Sequence, residues 1–243
     1  MPRGLPDWGL VRKPHFFSGL DDLGEAVARL GSPVVWDRRG DVLFATDFHS
    51  GICGAEIDAA GVDSQVALGA SWARHGAYCA ELDAGTGTLP YARLRWRVPF
   101  ELGSACGLEA GFSVDYYTLR LEAQVAVAVG GRLWYMFAAY NHQSGRVEYL
   151  DSAGDYTPVG DSVRLLQGVS PQHSMKLVVD TDAMTYVYFR LNSWVYDLRG
   201  LQGQSLSTYN ADNRWFGVSH SGQATALATS RIDDVIITEN EPI

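Results

Sequence analysis

The stretch that decides the fold begins with YARLRWRV (91–98) and continues with CGLEAGFSVD (106–115), TLRLEAQVAVAV (118–129), RLWYMFAAY (132–140) and RVEYLD (146–151). Apolar and polar residues alternate along these five segments. A period of two puts successive side chains on opposite faces of a strand, so each segment is predicted to be a strand that buries one face. If the five strands pair with one another, their polar rows share one face of a sheet.

That polar face is the candidate ligand-binding site. Its candidate residues are Arg93, Arg95, Glu109, Arg120, Glu122, Gln124 and Trp134. Carboxylates and amides can hydrogen-bond to sugar hydroxyls, arginines can form paired hydrogen bonds with carboxylates or sulfates, and a tryptophan can stack on a sugar ring. The alternative is an ordinary solvated sheet face on which arginine and glutamate pair across strands. A concave face would favour the binding site.

The length and composition predict one all-β domain and argue against nucleic-acid and membrane partners. With 47% hydrophobic and 19% charged residues, the 243-residue chain can bury a sizeable core. A formal net charge of −9 without a basic run argues against a nucleic-acid partner. The lack of an apolar run of about 18 residues argues against a membrane-spanning helix. Three cysteines at unpatterned spacing fit reduced thiols better than a disulfide framework or a zinc site.

Residues 1–40 are predicted to form an arm with one short helix that packs on the main domain, which spans residues 41–243. The helix is expected at Leu20–Leu30, where apolar residues recur at helical spacing and Gly31 follows. An apolar arm docks on its own sandwich or on a neighbouring subunit, so a homo-oligomer is one of the alternatives. The segment Met1–Phe17 lacks the apolar core of a secretory signal, which predicts a cytoplasmic protein. The alternative is a secreted protein whose signal has been removed.

The order of elements and three passages resemble a known superfamily. Val42–Gly51 looks like a first strand, and Arg231–Thr238 looks like a closing strand that pairs beside it. Between them, the hairpin segment Gly145–Asp151 is followed by the strand pair His173–Asp180 and Tyr186–Asn192. Together these passages resemble the concanavalin A-like lectin/glucanase superfamily. The resemblance implies an all-β, antiparallel jelly-roll β-sandwich, a fold that hosts lectins, glycosidases, lyases and interaction domains.

The catalytic motif of retaining glycosidases in this superfamily does not occur in the chain. That motif is a Glu-x-Asp-x-x-Glu strand whose carboxylates act as nucleophile and acid/base. Here Glu56-Ile-Asp58 is followed by Gly61 where the second glutamate is expected, and the similar string at 81–83 is followed by Thr86. A glucanase of that type is therefore not expected.

Polysaccharide lyases of similar fold use a Gln-x-His strand. In this chain Gln124 is followed two residues later by Ala126, so the histidine is missing. No residue is therefore firmly catalytic. If the protein is an enzyme, Glu109 and Glu122 would form its acid/base pair in a non-standard arrangement.

The leading interpretation is a carbohydrate-recognition protein that binds a saccharide, or another small polar ligand, on the polar face. One alternative is a carbohydrate-active enzyme of the glycoside hydrolase or polysaccharide lyase kind. The other is a structural or interaction domain that binds another chain through an aromatic stripe, which comprises Tyr186, Tyr188, Arg190, Trp194 and Tyr196.

No cofactor is expected. Sandwiches of the superfamily often hold a structural calcium near the junction of the strands that carry Asp47 and Asp233. We favour turn and cap hydrogen bonds for these two carboxylates, because a calcium site needs six or more oxygen ligands. No metal ligand is therefore predicted.

Overall fold

In the computed structural model, the described residues are 40–52, 54–73, 77–98, 105–168, 172–207 and 213–243. They form sixteen strands and no helix. The strands are β1 (Asp41–Thr46), β2 (Ala55–Val62), β3 (Gln65–Gly69), β4 (Cys79–Ala84), β5 (Thr86–Arg97), β6 (Ala105–Ser113), β7 (Thr118–Val129), β8 (Arg132–Asn141), β9 (Arg146–Leu150), β10 (Tyr156–Val159), β11 (His173–Asp180), β12 (Thr185–Leu191), β13 (Trp194–Asp197), β14 (Gln204–Ser207), β15 (Asn213–Gly222) and β16 (Ala228–Glu239). The predicted helix Leu20–Leu30 and residues 1–39 of the predicted arm lie outside the described residues, and the domain boundary stays a prediction.

The strands form two antiparallel sheets of eight strands each. Sheet A has the order β13-β12-β11-β6-β16-β4-β3, with β1 also paired to β16. Sheet B has the order β10-β9-β8-β7-β15-β5-β2, with β14 also paired to β8. Consecutive strands such as β7 and β8 pair with each other, but other neighbours come from distant parts of the chain, as the pairing of β7 with β15 shows. The sequence prediction of an antiparallel β-sandwich is confirmed.

The core lies between the two sheets and is built from the apolar rows that the alternation predicts. Sheet B contributes Leu94 from β5 and Leu121 from β7, and both side chains are fully buried. Sheet A contributes Leu108 from β6 and Leu177 from β11, which are also fully buried. Because a strand alternates, the polar residues between these apolar ones lie on the two outer faces of the sandwich.

One of the five central strands does not pair as the sequence predicted. The other four, β5, β7, β8 and β9, all lie in sheet B, whereas β6 lies between β11 and β16 in sheet A. Alternation along a strand says which face is buried but not which sheet the strand joins, because the core-facing rows of both sheets are equally apolar. The expectation of one shared polar face is therefore wrong for β6.

Strand boundaries are predicted well where alternation is regular and poorly at the sheet edges. The predicted bounds Thr118–Val129 are those of β7. Strands β2, β10 and β14 were not predicted, and each carries small or polar residues or a proline. The sequence also predicts a strand at Val163–Leu166, but this segment is irregular.

The aromatic stripe expected on β12 and β13 does not form one surface. Tyr186 is buried between the sheets, and its hydroxyl donates to the Leu150 carbonyl oxygen of sheet B at 2.8 Å. Arg190 lies on the outer face of sheet A beside Glu109. Trp194 and Tyr196 belong to the inward row. The stripe is thus divided between the core, the outer face and the open side of the sandwich.

Among the residues that the structure describes, no helix is both long enough and apolar enough to cross a bilayer.

Candidate functional site

The outer face of sheet B carries many polar side chains that alternation turns away from the core. We call it the sheet B outer face. Its main residues are Glu56, Asp58, Arg93, Arg95, Arg97, Arg120, Glu122, Gln124, Tyr135, Phe137, Glu148, Tyr156, Trp215 and Ser219. Register aligns them across strands, because Arg93 is opposite both Asp58 and Ser219, and Ser219 is opposite Glu122. Residues from β2, β5, β15 and β7 therefore form one continuous row.

Five of the seven predicted binding residues come together on this face. They are Arg93, Arg95, Arg120, Glu122 and Gln124. The guanidinium of Arg93 lies 3.5 Å from the side-chain oxygen of Gln124, although the two residues are 31 positions apart. The alternation of β5 and β7 predicted the direction of these side chains, and the strand β15 between them brings the two rows into contact.

Glu109 does not belong to this face. It lies on β6 in sheet A, on the outer side, and is almost fully buried beside Arg190, whose guanidinium donates to it at 2.9 Å. Glu122 is on the opposite side of the sandwich. The predicted acid/base pair of Glu109 and Glu122 is therefore wrong, because the core of the sandwich separates the two carboxylates.

Trp134 also points away from the face. On β8 it pairs with Val127, a residue of the core row, so its side chain is on the inner side of sheet B. The aromatic residues of the outer face are instead Tyr135, Phe137 and Trp215. Their ring centroids lie 5.1 Å (Tyr135–Phe137), 5.8 Å (Phe137–Trp215) and 6.1 Å (Tyr135–Trp215) apart. The sequence contains all three aromatic residues. In the segment 133–137, however, every residue is large and apolar or aromatic, so no alternation indicates which side chains face outward.

An arginine row on β5 is held by two carboxylates of the neighbouring strand β2. Arg93 forms a close ion pair with Asp58, and Arg97 contacts Glu56 at 2.6 Å. Arg95 lies between them, 3.6 Å from the Asp58 carboxylate and 3.8 Å from that of Glu56. Opposite charges facing each other across two strands stabilise the pairing of those strands.

Asp58 stays ionised in this arrangement. Partial burial opposes its charge, but the hydrogen bond and the positive charge of Arg93 outweigh burial and hold the pKa of Asp58 below its usual range. The string Glu56-Ile-Asp58, which lacks the second glutamate of a glycosidase strand, thus has another role. It fixes the guanidinium groups of the arginine row.

The arginine row also stacks on an aromatic ring. The guanidinium carbons of Arg93 and Arg95 lie 5.8 Å and 5.5 Å from the ring centroid of Trp215 on β15. These distances are within the range of cation–π contacts. Trp215 packs in turn on an apolar cluster of this face that includes Ala126, Phe137 and Leu150. The face therefore combines a charged half with an aromatic half.

Glu122 is the buried carboxyl group at the centre of the face. It is 6% exposed, and the Gln124 amide nitrogen donates to it at 2.5 Å. Burial is the strongest influence and raises the pKa of Glu122, while the hydrogen bonds from Gln124 and Tyr156 and the charge of Arg120 oppose that rise. Its protonated form is thus more populated than that of an exposed glutamate.

Tyr156 is one of the residues of the face that the sequence did not point to. It hydrogen-bonds to Glu122, and burial, followed by the charge of Glu122, raises the pKa of its phenol, so the hydroxyl stays protonated. The Arg120 guanidinium lies 3.7 Å from the Tyr156 ring centroid and donates to Glu148 at 3.0 Å. Tyr156 lies on β10, a short edge strand, where Pro158 weakens the strand pattern. The turn residues 151–155 before it were the only available signal.

The two carboxylates considered for calcium hold backbone groups. Strands β1 and β16 pair as the resemblance implied, with Thr46 opposite Val235. Asp47 accepts a hydrogen bond from the His49 backbone nitrogen at 3.0 Å, and Asp233 accepts one from the Asp234 nitrogen at 2.9 Å. Within the described part of the chain, no group of three or more histidine, cysteine, aspartate and glutamate side chains is arranged to hold a metal ion.

Comparison with known proteins identifies the fold. No family model and no curated protein matches the sequence. Among solved structures, the chain is similar to a protein of unknown function with a galectin-like fold from Bacillus subtilis, with a TM-score of 0.53 and 11% identity over 83% of this chain and 97% of that one. The fold is a concanavalin A-like jelly roll. The chain therefore has the architecture that its sequence resembles.

Two further solved structures share this jelly roll. An endo-β-1,4-glucuronan lyase from Trichoderma reesei has a TM-score of 0.53 and 11% identity, covering 82% of this chain and 95% of the lyase. A sialidase has a TM-score of 0.50 and 11% identity over 81% of this chain, but this chain spans only 18% of the sialidase. At this level of identity the similarity establishes the fold alone.

Proposed function

We propose that the protein recognises a saccharide on the sheet B outer face. One observation carries the proposal: five polar residues predicted from the sequence meet there beside the aromatic rings of Tyr135, Phe137 and Trp215. Carbohydrate sites commonly combine hydrogen-bonding side chains with rings that cover the apolar face of a sugar. The names of the similar lyase and sialidase support a carbohydrate ligand, since both are enzymes that act on carbohydrates.

Each half of the face has a distinct task in this proposal. The side chains of Arg93, Arg95 and Arg120 are between 18% and 26% exposed, so a ligand can reach them. Their ion pairs with Asp58 and Glu148 hold the guanidinium groups in place, which lowers the conformational entropy lost on binding. Arginine forms paired hydrogen bonds with sugar hydroxyls or carboxylates, and the aromatic half covers a sugar ring.

A second candidate is a carbohydrate-active enzyme on the same face. The favouring observation is the contact between Glu122 and Tyr156, since a buried carboxyl group with a raised pKa suits a proton donor. In this candidate, Tyr156 takes the place of Glu109 as the partner of Glu122. Glu122→Gln separates the two functions. An enzyme keeps glycan binding and loses turnover, whereas a recognition protein has no turnover to lose.

A glycan array with matched arginine variants tests the recognition proposal. Arg93→Gln removes a guanidinium from the face, and we expect binding of the best glycan to weaken by roughly tenfold to a hundredfold, the effect of one charge-assisted hydrogen bond. Arg190→Gln is the matched control, because Arg190 is also an ion-paired arginine of low exposure but lies on the outer face of sheet A. No binding to any glycan, or equal weakening by both variants, would overturn the proposal.

A further inference from the structure

A cavity of about 470 Å³ lies at one open side of the sandwich, away from the sheet B outer face. It lies between β13, the edge strand of sheet A, and the irregular segment that follows β10, the edge strand of sheet B. Its lining residues are Asp161, Ser162, Val163, Arg164, Trp194, Val195 and Tyr196. The volume is within the range of roughly 300–1,000 Å³ found for small-molecule sites.

Two aromatic residues of β13 contribute to the lining. Trp194 pairs with Leu191 and Tyr196 pairs with Phe189, and both partners belong to the inward apolar row of β12. Directly opposed residues share a face of the sheet, so the two aromatic side chains extend that row to the open side. Being two residues apart on one strand, they are spaced by about 6.6 Å. Trp194 is 46% exposed, so a ligand can reach its ring.

The opposite wall is held in place by hydrogen bonds to the sheets. The Val163 nitrogen donates to the Gly145 carbonyl oxygen at 2.6 Å. The Tyr140 hydroxyl donates to the Val163 carbonyl oxygen and accepts from the Leu165 nitrogen, each at 3.1 Å. A wall fixed before binding costs less entropy when the ligand arrives. The irregular segment is therefore a preformed side of the cavity.

The polar groups of the cavity suit a hydroxylated ring. The segment supplies a carboxylate from Asp161, a hydroxyl from Ser162 and a guanidinium from Arg164, and all three side chains belong to exposed residues. The charges of Asp161 and Arg164 offset each other, so the ligand needs no net charge. Burial, and then the charge of Asp161, raise the pKa of Tyr196, which keeps its hydroxyl a hydrogen-bond donor.

We propose that this lateral cavity is a second saccharide site, in which a sugar ring stacks on Trp194 and its hydroxyls bind Asp161 and Arg164. It shares no residue with the sheet B outer face, so it does not depend on the function proposed there. A second copy of the chain would instead need a flat free edge. Here the edge strand β13 ends at the exposed ion pair of Asp197 and Arg199, and charges near an edge discourage strand pairing.

Fluorine NMR of the protein labelled with 5-fluorotryptophan tests the proposal at a single residue. The probes are the methyl glycosides of glucose, galactose, mannose and glucuronic acid, each titrated separately. The resonance of Trp194 is assigned from its loss in Trp194→Phe. We expect it to shift saturably with at least one probe. In Arg164→Gln the affinity should fall about tenfold, as for a lost charged hydrogen bond.

The matched control is Arg199→Gln, because Arg199 is an exposed arginine next to β13 that does not line the cavity. It should leave the Trp194 titration unchanged. The resonance of Trp215 reports on the sheet B outer face in the same spectra, so the presence or absence of sugar binding at that face is detected separately. The lateral site is overturned if no probe shifts the Trp194 resonance or if Arg164→Gln binds as tightly as the unmodified protein. It is also overturned if the Trp194 shift follows protein concentration instead of sugar, which is the behaviour of a dimer contact.

Discussion

Single residues show where burial overrides the usual chemistry of a side chain. His220 on β15 is fully buried between the sheets, and its Nδ1 donates to the Leu82 carbonyl oxygen, 2.8 Å away. Burial lowers the pKa of His220 from 6.5 to about 4, against the smaller opposing effects of that hydrogen bond and of nearby aspartates. The histidine is thus a neutral core residue in the folded protein.

The stability of the fold should therefore fall as the pH drops. In the unfolded chain the histidine takes up a proton near pH 6.5, whereas in the folded chain it does so only near pH 4. Its contribution is fully present above pH 6.5, and roughly 3 kcal/mol of unfolding free energy is lost between pH 6.5 and pH 4. Urea unfolding across this range should show a steeper decline for the natural protein than for His220→Gln. Parallel declines would contradict the assignment.

Glu122 should show the opposite dependence on pH. Burial raises its pKa in the folded protein, so the unfolded chain releases the proton first and the fold loses stability as the pH rises past the ordinary value of 4.5. Glu122→Gln keeps the shape and an oxygen acceptor but removes the charge. We expect its melting temperature to exceed that of the natural protein at pH 7, with the difference shrinking toward pH 4.5. A lower melting temperature for the variant at every pH would refute this.

At the scale of elements, the two sheets are joined by more than apolar contact. The Tyr186 hydroxyl of β12 in sheet A accepts a hydrogen bond from the Phe137 nitrogen of sheet B at 2.9 Å. It lies 2.8 Å from the Leu150 carbonyl oxygen of the same sheet. A single phenol therefore binds the backbone of two strands in the opposite layer.

Removing that hydroxyl should destabilise the sandwich. Tyr186→Phe leaves the buried Phe137 nitrogen without its acceptor, and an unsatisfied buried donor costs about 1–3 kcal/mol. Tyr116→Phe is the matched control, because Tyr116 is 64% exposed, and its loss should change stability by less than about 0.5 kcal/mol. Chemical denaturation measures both. Equal stabilities of the two variants would show that the link between the sheets contributes nothing.

The elements also show how far a sequence pattern predicts this fold. The regular alternation of β7 predicted its bounds, because this strand keeps one apolar row against the core. The same pattern did not reveal that β6 joins the other sheet. Alternation is a property within one strand, whereas sheet membership depends on pairing between distant strands. The edge strand β10 escaped prediction because its packing is slight and Pro158 interrupts its pattern.

At the scale of the whole molecule, the candidate site exists only because of the topology. Its arginine row and its central carboxyl group lie on β5 and β7, which are joined through β15 from the end of the chain. Five of the site residues were predicted from the sequence, because alternation along their strands indicates the direction of their side chains. The sequence could not supply Tyr156, Trp215 or the role of Asp58, because these reach the face through long-range pairing. The homo-oligomer, the cytoplasmic location and the exclusion of nucleic-acid and membrane partners stay predictions.

Mapping a bound glycan by amide NMR tests the central claim most directly. The glycan is the strongest binder from the array, titrated into isotope-labelled protein. We predict that the largest shift changes cluster at Arg93, Gln124, Gly217 and Ser219, which lie side by side on three strands of the sheet B outer face. Changes confined to the outer face of sheet A around Glu109 and Arg190, or to the cavity beside Trp194, would contradict the claim that this face is the main recognition site.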